Sequence, residues 1–284
     1  MRKRSICLLV AAAVVPAFGG PISVNLNSAS SFGLLGGTIS NTGTSVIYGN
    51  VGATTTITGF PPATATGTVY GAPSDPTVEA AYTDFESAFN IAMLLPSTQT
   101  FTDLSTSRTF IGNNVYTFTQ PAISTTTGID LTFNAQNNPG EVFVIRISQA
   151  FTVNGAMTFT LENGALASNI FWIVGTDATI SVGSSGPIAF DGDILAGDTF
   201  TMSAAAGSSG ALAGVINGCV FAENANTLAG TTDVGGCNAT GAVPEPGALS
   251  LLSVAAGLLM LSKFRGSAKG RSGKYQVTCR QPLS

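Results

Sequence analysis

Val115-Tyr-Thr-Phe118, Val142-Phe-Val-Ile145 and Ile170-Phe-Trp-Ile173 are three short runs of β-branched and aromatic residues that follow one another at a near-constant spacing. A second echo links Val46–Ala53, Ile188–Ala196 and Val215–Ala222, and the Gly-x-x-x-Ala portions of the last two repeat at almost the same interval. The period of roughly 27 residues falls in the range that marks units unable to bury a core alone, which therefore stack. Each unit consists of short Val-, Ile-, Phe- and Thr-rich strands broken by Gly, Asn, Ser and Pro, the pattern of strands and turns. Three such strands per unit make one coil of a β-solenoid, so the chain reads as mainly β.

Successive side chains on a strand point to opposite faces. In the first strand of two coils both sets are apolar: Phe143, Ile145 and Ile147 alternate with Val142 and Val144, and Phe171 and Ile173 with Trp172 and Val174. Such a strand is covered on both sides. The cover is one long helix over about 76–95. Ser74 or Asp75 can cap it with Pro76 at its first position, and Val78, Ala81, Tyr82, Phe85, Phe89, Ala92 and Met93 recur at helical spacing until Pro96. This reading lays the helix on the Val142/Trp172 face. Arg146 would sit near its rim, either as a solvated edge charge or paired with Glu79, Asp84 or Glu86.

The second strand of each coil behaves differently. Its inward residues are Ile123 and Thr125, then Phe151 and Val153, then Ile180 and Val182, with Phe200 and Met202 as a further row. The outward residues are Ser124 and Thr126, Thr152 and Asn154, Ser181 and Gly183, Thr201 and Ser203. This column is small, uncharged and hydroxyl-rich, and it is the candidate binding face. The third strand instead exposes Asp130, Thr132 and Asn134, then Thr158, Thr160 and Glu162, then Asp191.

Composition removes several functions. The chain of 284 residues has no histidine, which excludes His-based acid–base chemistry, Ser-His-Asp and Cys-His nucleophiles and His-ligated zinc. Between Ser5 and Ser262 only Arg108 and Arg146 oppose fifteen carboxylates, a charge of −13; nucleic acid, which needs clustered Lys and Arg, is not a partner. Asp191, Asp193 and Asp198 form the densest acidic group, but they lack the Gly and Glu offsets of an EF-hand and read as solvated turn acids. No catalytic residue, metal site or cofactor is expected, and the chain is not read as an enzyme. Cys219 and Cys237 are either a disulfide, which would contribute about 3 kcal/mol, or two separate buried thiols.

Both ends carry processing features. Arg2-Lys3-Arg4 followed by the apolar run Ile6–Val15 reads as a secretory signal peptide over residues 1–19, which leaves 20–242 as the exported body. Val243-Pro244-Glu245-Pro246-Gly247, the apolar Ala248–Leu261, and Lys263 and Arg265 resemble a PEP-CTERM sorting signal over 243–265, ahead of a basic tail at 266–284. That resemblance implies an exosortase-type processing enzyme as partner and export from a bacterial cell. The apolar segment implies a transmembrane segment and transient anchoring.

Asn41-Thr-Gly-Thr-Ser-Val-Ile-Tyr-Gly-Asn-Val-Gly52, then Ile57-Thr-Gly-Phe-Pro-Pro-Ala-Thr-Ala-Thr-Gly-Thr68, resembles the N-terminal signature of the microbial ice-binding-protein-like family. Val142–Ile145, Asn169–Gly175 and Asp191–Ala196 are similar to its later motifs, in order, and the likeness runs from about Ser23 to Val234. It implies a right-handed β-solenoid of triangular section with the helix alongside. It also implies adsorption to an ice/water surface through one flat face, here Ser124, Thr126, Thr152, Asn154, Ser181, Thr201 and Ser203. The Thr-Ala/Gly-x-Thr/Asn motif of several active members does not occur. The alternative is a cell-surface or matrix adhesin that displays the same solenoid to extracellular polysaccharide.

Overall fold

The computed structural model describes residues 22–71, 73–120, 122–125, 128–181, 188–203 and 212–237. The strands pair in parallel and stack into three faces. The first face runs Gln99–Phe101, Asn114–Phe118, Phe143–Ile147, Ile170–Val174 and Asp193–Ala196. The second runs Ala122–Thr125, Ala150–Val153, Ala178–Ser181 and Thr199–Ser203. Both faces continue into Val220–Ala229, Phe32–Asn41 and Asn50–Thr58, long strands that serve one face with their first half and the other with their second. The third face holds a sheet of Arg108–Ile111, Ile129–Asn134 and Met157–Glu162. It also holds a sheet of Ile188–Asp191, Leu212–Asn217, Thr231–Val234, Val46–Ile47 and Thr64–Ala65.

Chain order and stacking order differ. The N-terminal strands Phe32–Asn41 and Asn50–Thr58 stack beyond the C-terminal strand Val220–Ala229, and the chain then has to return to the far end to begin the next coil at Gln99. Helix α1 (Pro76–Leu94) makes that return. Its 19 residues span about 28 Å at 1.5 Å each, most of the roughly 34 Å that seven strand spacings of about 4.8 Å put between Asn50–Thr58 and Gln99–Phe101. Asp75 is the cap: its carboxylate accepts the Thr77 N–H at 2.8 Å, with Pro76 following. Val78, Ala81, Phe85, Ala88, Phe89 and Ala92 are buried against Leu35, Val115, Val144, Phe171, Ile173, Leu195 and Phe221 of the first face.

One part of the helix reading is corrected. Trp172 is not under the helix. The register sets Ile145 opposite Trp172 and Val144 opposite Phe171, so Phe171 and Ile173 meet α1 while Trp172 enters the solenoid interior. There it stacks on Phe151 (centroids 5.4 Å apart, planes 9° apart), packs on Phe190, and donates its indole N–H to the Asp191 carbonyl at 3.0 Å. Unequal coil lengths cause the slip. The step between matching positions is longest from Val115 to Val144, shorter from Val144 to Phe171, and shortest from Phe171 to Asp193, before lengthening again from Ile194 to Val220. A misalignment of a single position turns a strand over.

Arg146 has neither partner nor exposure of the kind expected. Its Nη1 donates to the carbonyls of Met93 (2.7 Å) and Leu95 (2.6 Å) at the end of α1, and Nε and Nη2 donate to Thr117 Oγ1. The cation sits where the helix dipole is negative and unpaired carbonyls collect.

Among the described residues no helix is long and apolar enough to cross a membrane. Helix α1 carries Glu79, Asp84 and Glu86 opposite its apolar stripe. The transmembrane segment and transient anchoring expected from sequence therefore find no such helix among the described residues, and the apolar stretch that suggested them lies outside those residues. Residues 1–19, Thr126 and the stretch from Pro244, Glu245 and Pro246 through Leu261 lie outside the described residues.

Candidate functional site

The second face presents one column in strict register. Ser124 lies opposite Thr152, Thr152 opposite Thr179, Thr179 opposite Thr201, Thr201 opposite Thr227, Thr227 opposite Ser40, and Ser40 opposite Thr58. Seven consecutive rungs carry Ser or Thr and nothing else. At about 4.8 Å per rung the column is about 29 Å long. Buried residues flank it on the core side: Phe151, Val153, Ala178, Ile180, Phe200, Met202 and Leu228 point inward and fix the strands that carry the hydroxyls.

A second column runs beside it, about 6.7 Å along the strands. Ser181 lies opposite Ser203, with hydroxyls 3.4 Å apart, and Ser203 lies opposite Ala229. Asn154 is exposed just after Val153. On the other side of the main column Thr199 faces Ala225, which faces Thr38, which faces Thr56. Asp177, just before the strand Ala178–Ser181, accepts from Thr199 Oγ1 at 2.5 Å. Asp130, Thr158, Thr160 and Glu162 are exposed on the third face.

Of the residues singled out from sequence, Ser124, Thr152 and Thr201 stand in the seven-rung column and Ser181 and Ser203 in its neighbour. Ser181 is therefore not level with Thr152: Thr179 is. Sequence reasoning misses Thr179, Thr227, Ser40 and Thr58. Thr179 is hidden because Ala178 aligns with the much larger Phe151. The last three reach the face only through pairing across the whole chain length, which no repeat count reveals.

Chemistry elsewhere is sparse. Cys219 and Cys237 are joined as a disulfide with Cα atoms 4.7 Å apart. Asp193, expected in a solvated turn, is instead 2% exposed on the first face, where its Oδ1 accepts the Cys219 N–H at 2.9 Å. Burial pushes its carboxyl up to about 8. Asp191 is half-buried, raised by desolvation, and held by the Asn217 amide at 2.7 Å. The corner glycines explain the Gly-x-x-x-Ala echo: Gly192 has φ +117°, and a Cβ on Gly218 would collide with the Gly192 carbonyl.

The parallel solenoid thus has one face covered by helix α1 and another that carries a regular column of Ser and Thr. The chain belongs to the Ice-binding-like family, whose profile matches residues 34–233. A protein of Nostoc sp. (strain HG1) named "Ice-binding protein" is 36% identical over 181 residues, 62% of this chain and 63% of that relative. The match thus spans just under two thirds of the relative's length. The crystal structure of an ice-binding protein from the Antarctic ascomycete Antarctomyces psychrotrophicus superimposes with a TM-score of 0.63 at 31% identity, covering 74% of this chain and 97% of that one. An ice binding protein from an Antarctic Biological Consortium gives 0.62 at 28% identity, covering 78% and 95%.

Proposed function

We propose that this protein is exported and adsorbs to ice through the second face, with Ser124, Thr152, Thr179, Thr201, Thr227, Ser40 and Thr58 as the contact column and Asn154, Ser181 and Ser203 beside it. The observation that carries this reading is the unbroken register of seven hydroxyl rungs. Rungs about 4.8 Å apart and side chains about 6.7 Å apart along each strand form a two-dimensional grid of hydroxyls and methyls that orders water in a lattice-like layer. Each contact is weak, so regularity and area decide the outcome, and a charge would disrupt the layer. The rigid scaffold spares the ordering entropy that a flexible surface would lose on binding. The relatives are named as ice-binding proteins, which supports a binding role without catalysis.

The test places a tall side chain at the centre of the column. Thr201→Tyr should abolish thermal hysteresis and ice-affinity capture, because the ring holds the lattice off its neighbours. Thr160→Tyr, on the acid-bearing third face, should retain both. The reverse pattern would move the site to the third face. No adsorption by the unmodified protein would favour display to extracellular polysaccharide instead.

The processing reading also belongs here. Arg2–Val15 supports removal of a signal peptide over 1–19, and Pro244-Glu245-Pro246 with its apolar and basic followers supports recognition by an exosortase-type enzyme. Intact mass of the exported protein tests both: the expected product starts near residue 20 and ends near the Pro-Glu-Pro triplet, and a full-length mass refutes the reading.

A further inference from the structure

Asp193 is a buried carboxyl that the hydroxyl face does not use. It begins the first-face strand Asp193–Ala196 and lies opposite Phe171, on the side that helix α1 covers. One carboxylate oxygen and the sulfurs of Cys219 and Cys237 all lie within 4.8 Å of one another. The two sulfurs are not equivalent. Cys219 is fully buried, whereas Cys237, which follows the strand Thr231–Val234, is half-buried. A reagent arriving from solvent therefore meets Cys237 first.

We propose that Cys219–Cys237 is a thiol–disulfide exchange site at which the Asp193 carboxyl donates a proton to the departing Cys219 sulfur. The co-reactant is an external thiolate. It attacks Cys237 Sγ and forms a mixed disulfide there; the Cys219–Cys237 bond breaks, and its electron pair goes to Cys219 Sγ. That sulfur takes the Asp193 proton, so the products are the mixed disulfide on Cys237, a neutral Cys219 thiol and an Asp193 carboxylate. A second external thiolate then attacks the mixed disulfide at the external sulfur, releasing the oxidised external disulfide and Cys237 thiolate, and solvent returns the proton to Asp193.

The need for a donor follows from burial. Without one, exchange would leave a bare thiolate at a fully buried position, where an unpaired charge is costly, whereas on Asp193 the charge is met by the Cys219 N–H that its Oδ1 accepts. Asp193 has a proton to give at neutral pH because desolvation holds its carboxyl at about 8, and a thiol of ordinary pKa, about 8.5, is a matched acceptor. Among the described residues no hydrogen bond joins Asp193 to a cation, and its neighbours are apolar. Helix α1 turns Ala81, Phe85, Ala88 and Phe89 to this face, and the N-terminal segment adds Ile22, Val24 and Leu26. Of the nearby elements' acids, Asp191 is held by Asn217 and Asp84 by Ser28, while Glu86 lies by Tyr82 and Glu223.

The experiment is reduction of the native protein by dithiothreitol between pH 6 and 9.5, followed by alkylation and mass analysis, with each rate divided by the thiolate concentration. The normalised rate of the unmodified protein should be level below about pH 8 and fall up to tenfold per unit above it. Asp193→Asn keeps an oxygen for the Cys219 N–H but has no proton to give. Its normalised rate should be flat, about tenfold lower at pH 7 and equal to the unmodified protein's at pH 9.5. With a monothiol, the first adduct should be on Cys237. A pH-independent normalised rate in the unmodified protein overturns the proposal without recourse to any variant. So does a first adduct on Cys219, or a disulfide that yields only in denaturant.

Discussion

Over the same seven coils two outward columns run side by side and share one interior. On the first face they read Thr117, Arg146, Ile173, Leu195, Phe221, Leu35 and Gly52; on the second, Ser124, Thr152, Thr179, Thr201, Thr227, Ser40 and Thr58. The backbone and spacing are the same. Only the outward side chains differ, and they decide what each face meets. Ile173, Leu195, Phe221 and Leu35 are buried beneath α1, since an exposed apolar column of that length would seek another partner. The Ser and Thr column is wetted at no such cost and is left bare, where its periodicity can act on water.

The comparison breaks most severely if the cover is loosened. Phe85 is the centre of the helix contact: it is fully buried and meets Phe221 edge-on with centroids 5.6 Å apart. Phe85→Ala should cost about 3–5 kcal/mol in chemical denaturation while leaving residual ice adsorption of the folded fraction unchanged. A loss below about 1 kcal/mol would show that α1 is a passenger on the first face.

The architecture is legible in the sequence because both of its signals are periodic. The near-regular echo of Val115–Phe118, Val142–Ile145 and Ile170–Ile173 points to stacked coils, and apolar residues at helical spacing between Asp75 and Pro96 point to α1. What the sequence hides is register. Coils of unequal length defeat a fixed-period alignment, which is why such an alignment puts Trp172 on the helix side and Ser181 on the rung that Thr179 occupies. Alternation survives, so inside and outside are read correctly along Ala178–Ser181 even where the rung is wrong. Asp193 misleads for a different reason. An acid near two other acids and two glycines has the composition of a solvated turn, and only the pairing to Cys219 shows it buried.

A smaller effect is expected at the end of the cover. Arg146→Met preserves most of the aliphatic stem but removes the donors to the Met93 and Leu95 carbonyls. Leaving those acceptors without the cation should cost about 1–3 kcal/mol. Amide exchange should quicken in the last turn of α1 before it does in the first-face strands. Uniform quickening across both would mean that Arg146 holds the sheet rather than the helix end.

The smallest effect on stability is expected on the bare face, and there position along the column becomes informative. Thr201 has three rungs on each side, whereas Thr58 ends the column. Both side chains point outward, so tyrosine at either should change folding by less than about 0.5 kcal/mol. Their effects on ice should nevertheless differ. A ring at Thr201 props the lattice away from rungs on both sides and leaves no uninterrupted run longer than three; a ring at Thr58 leaves six rungs in unbroken register. Thermal hysteresis should vanish in Thr201→Tyr and fall only partly in Thr58→Tyr, at matched protein concentration. Equal, complete loss would mean that the contact is centred on the N-terminal strands. No loss at Thr58 would confine it to the coils between Ser124 and Thr227, the part of the column that does not depend on the N-terminal strands docking at the far end of the stack.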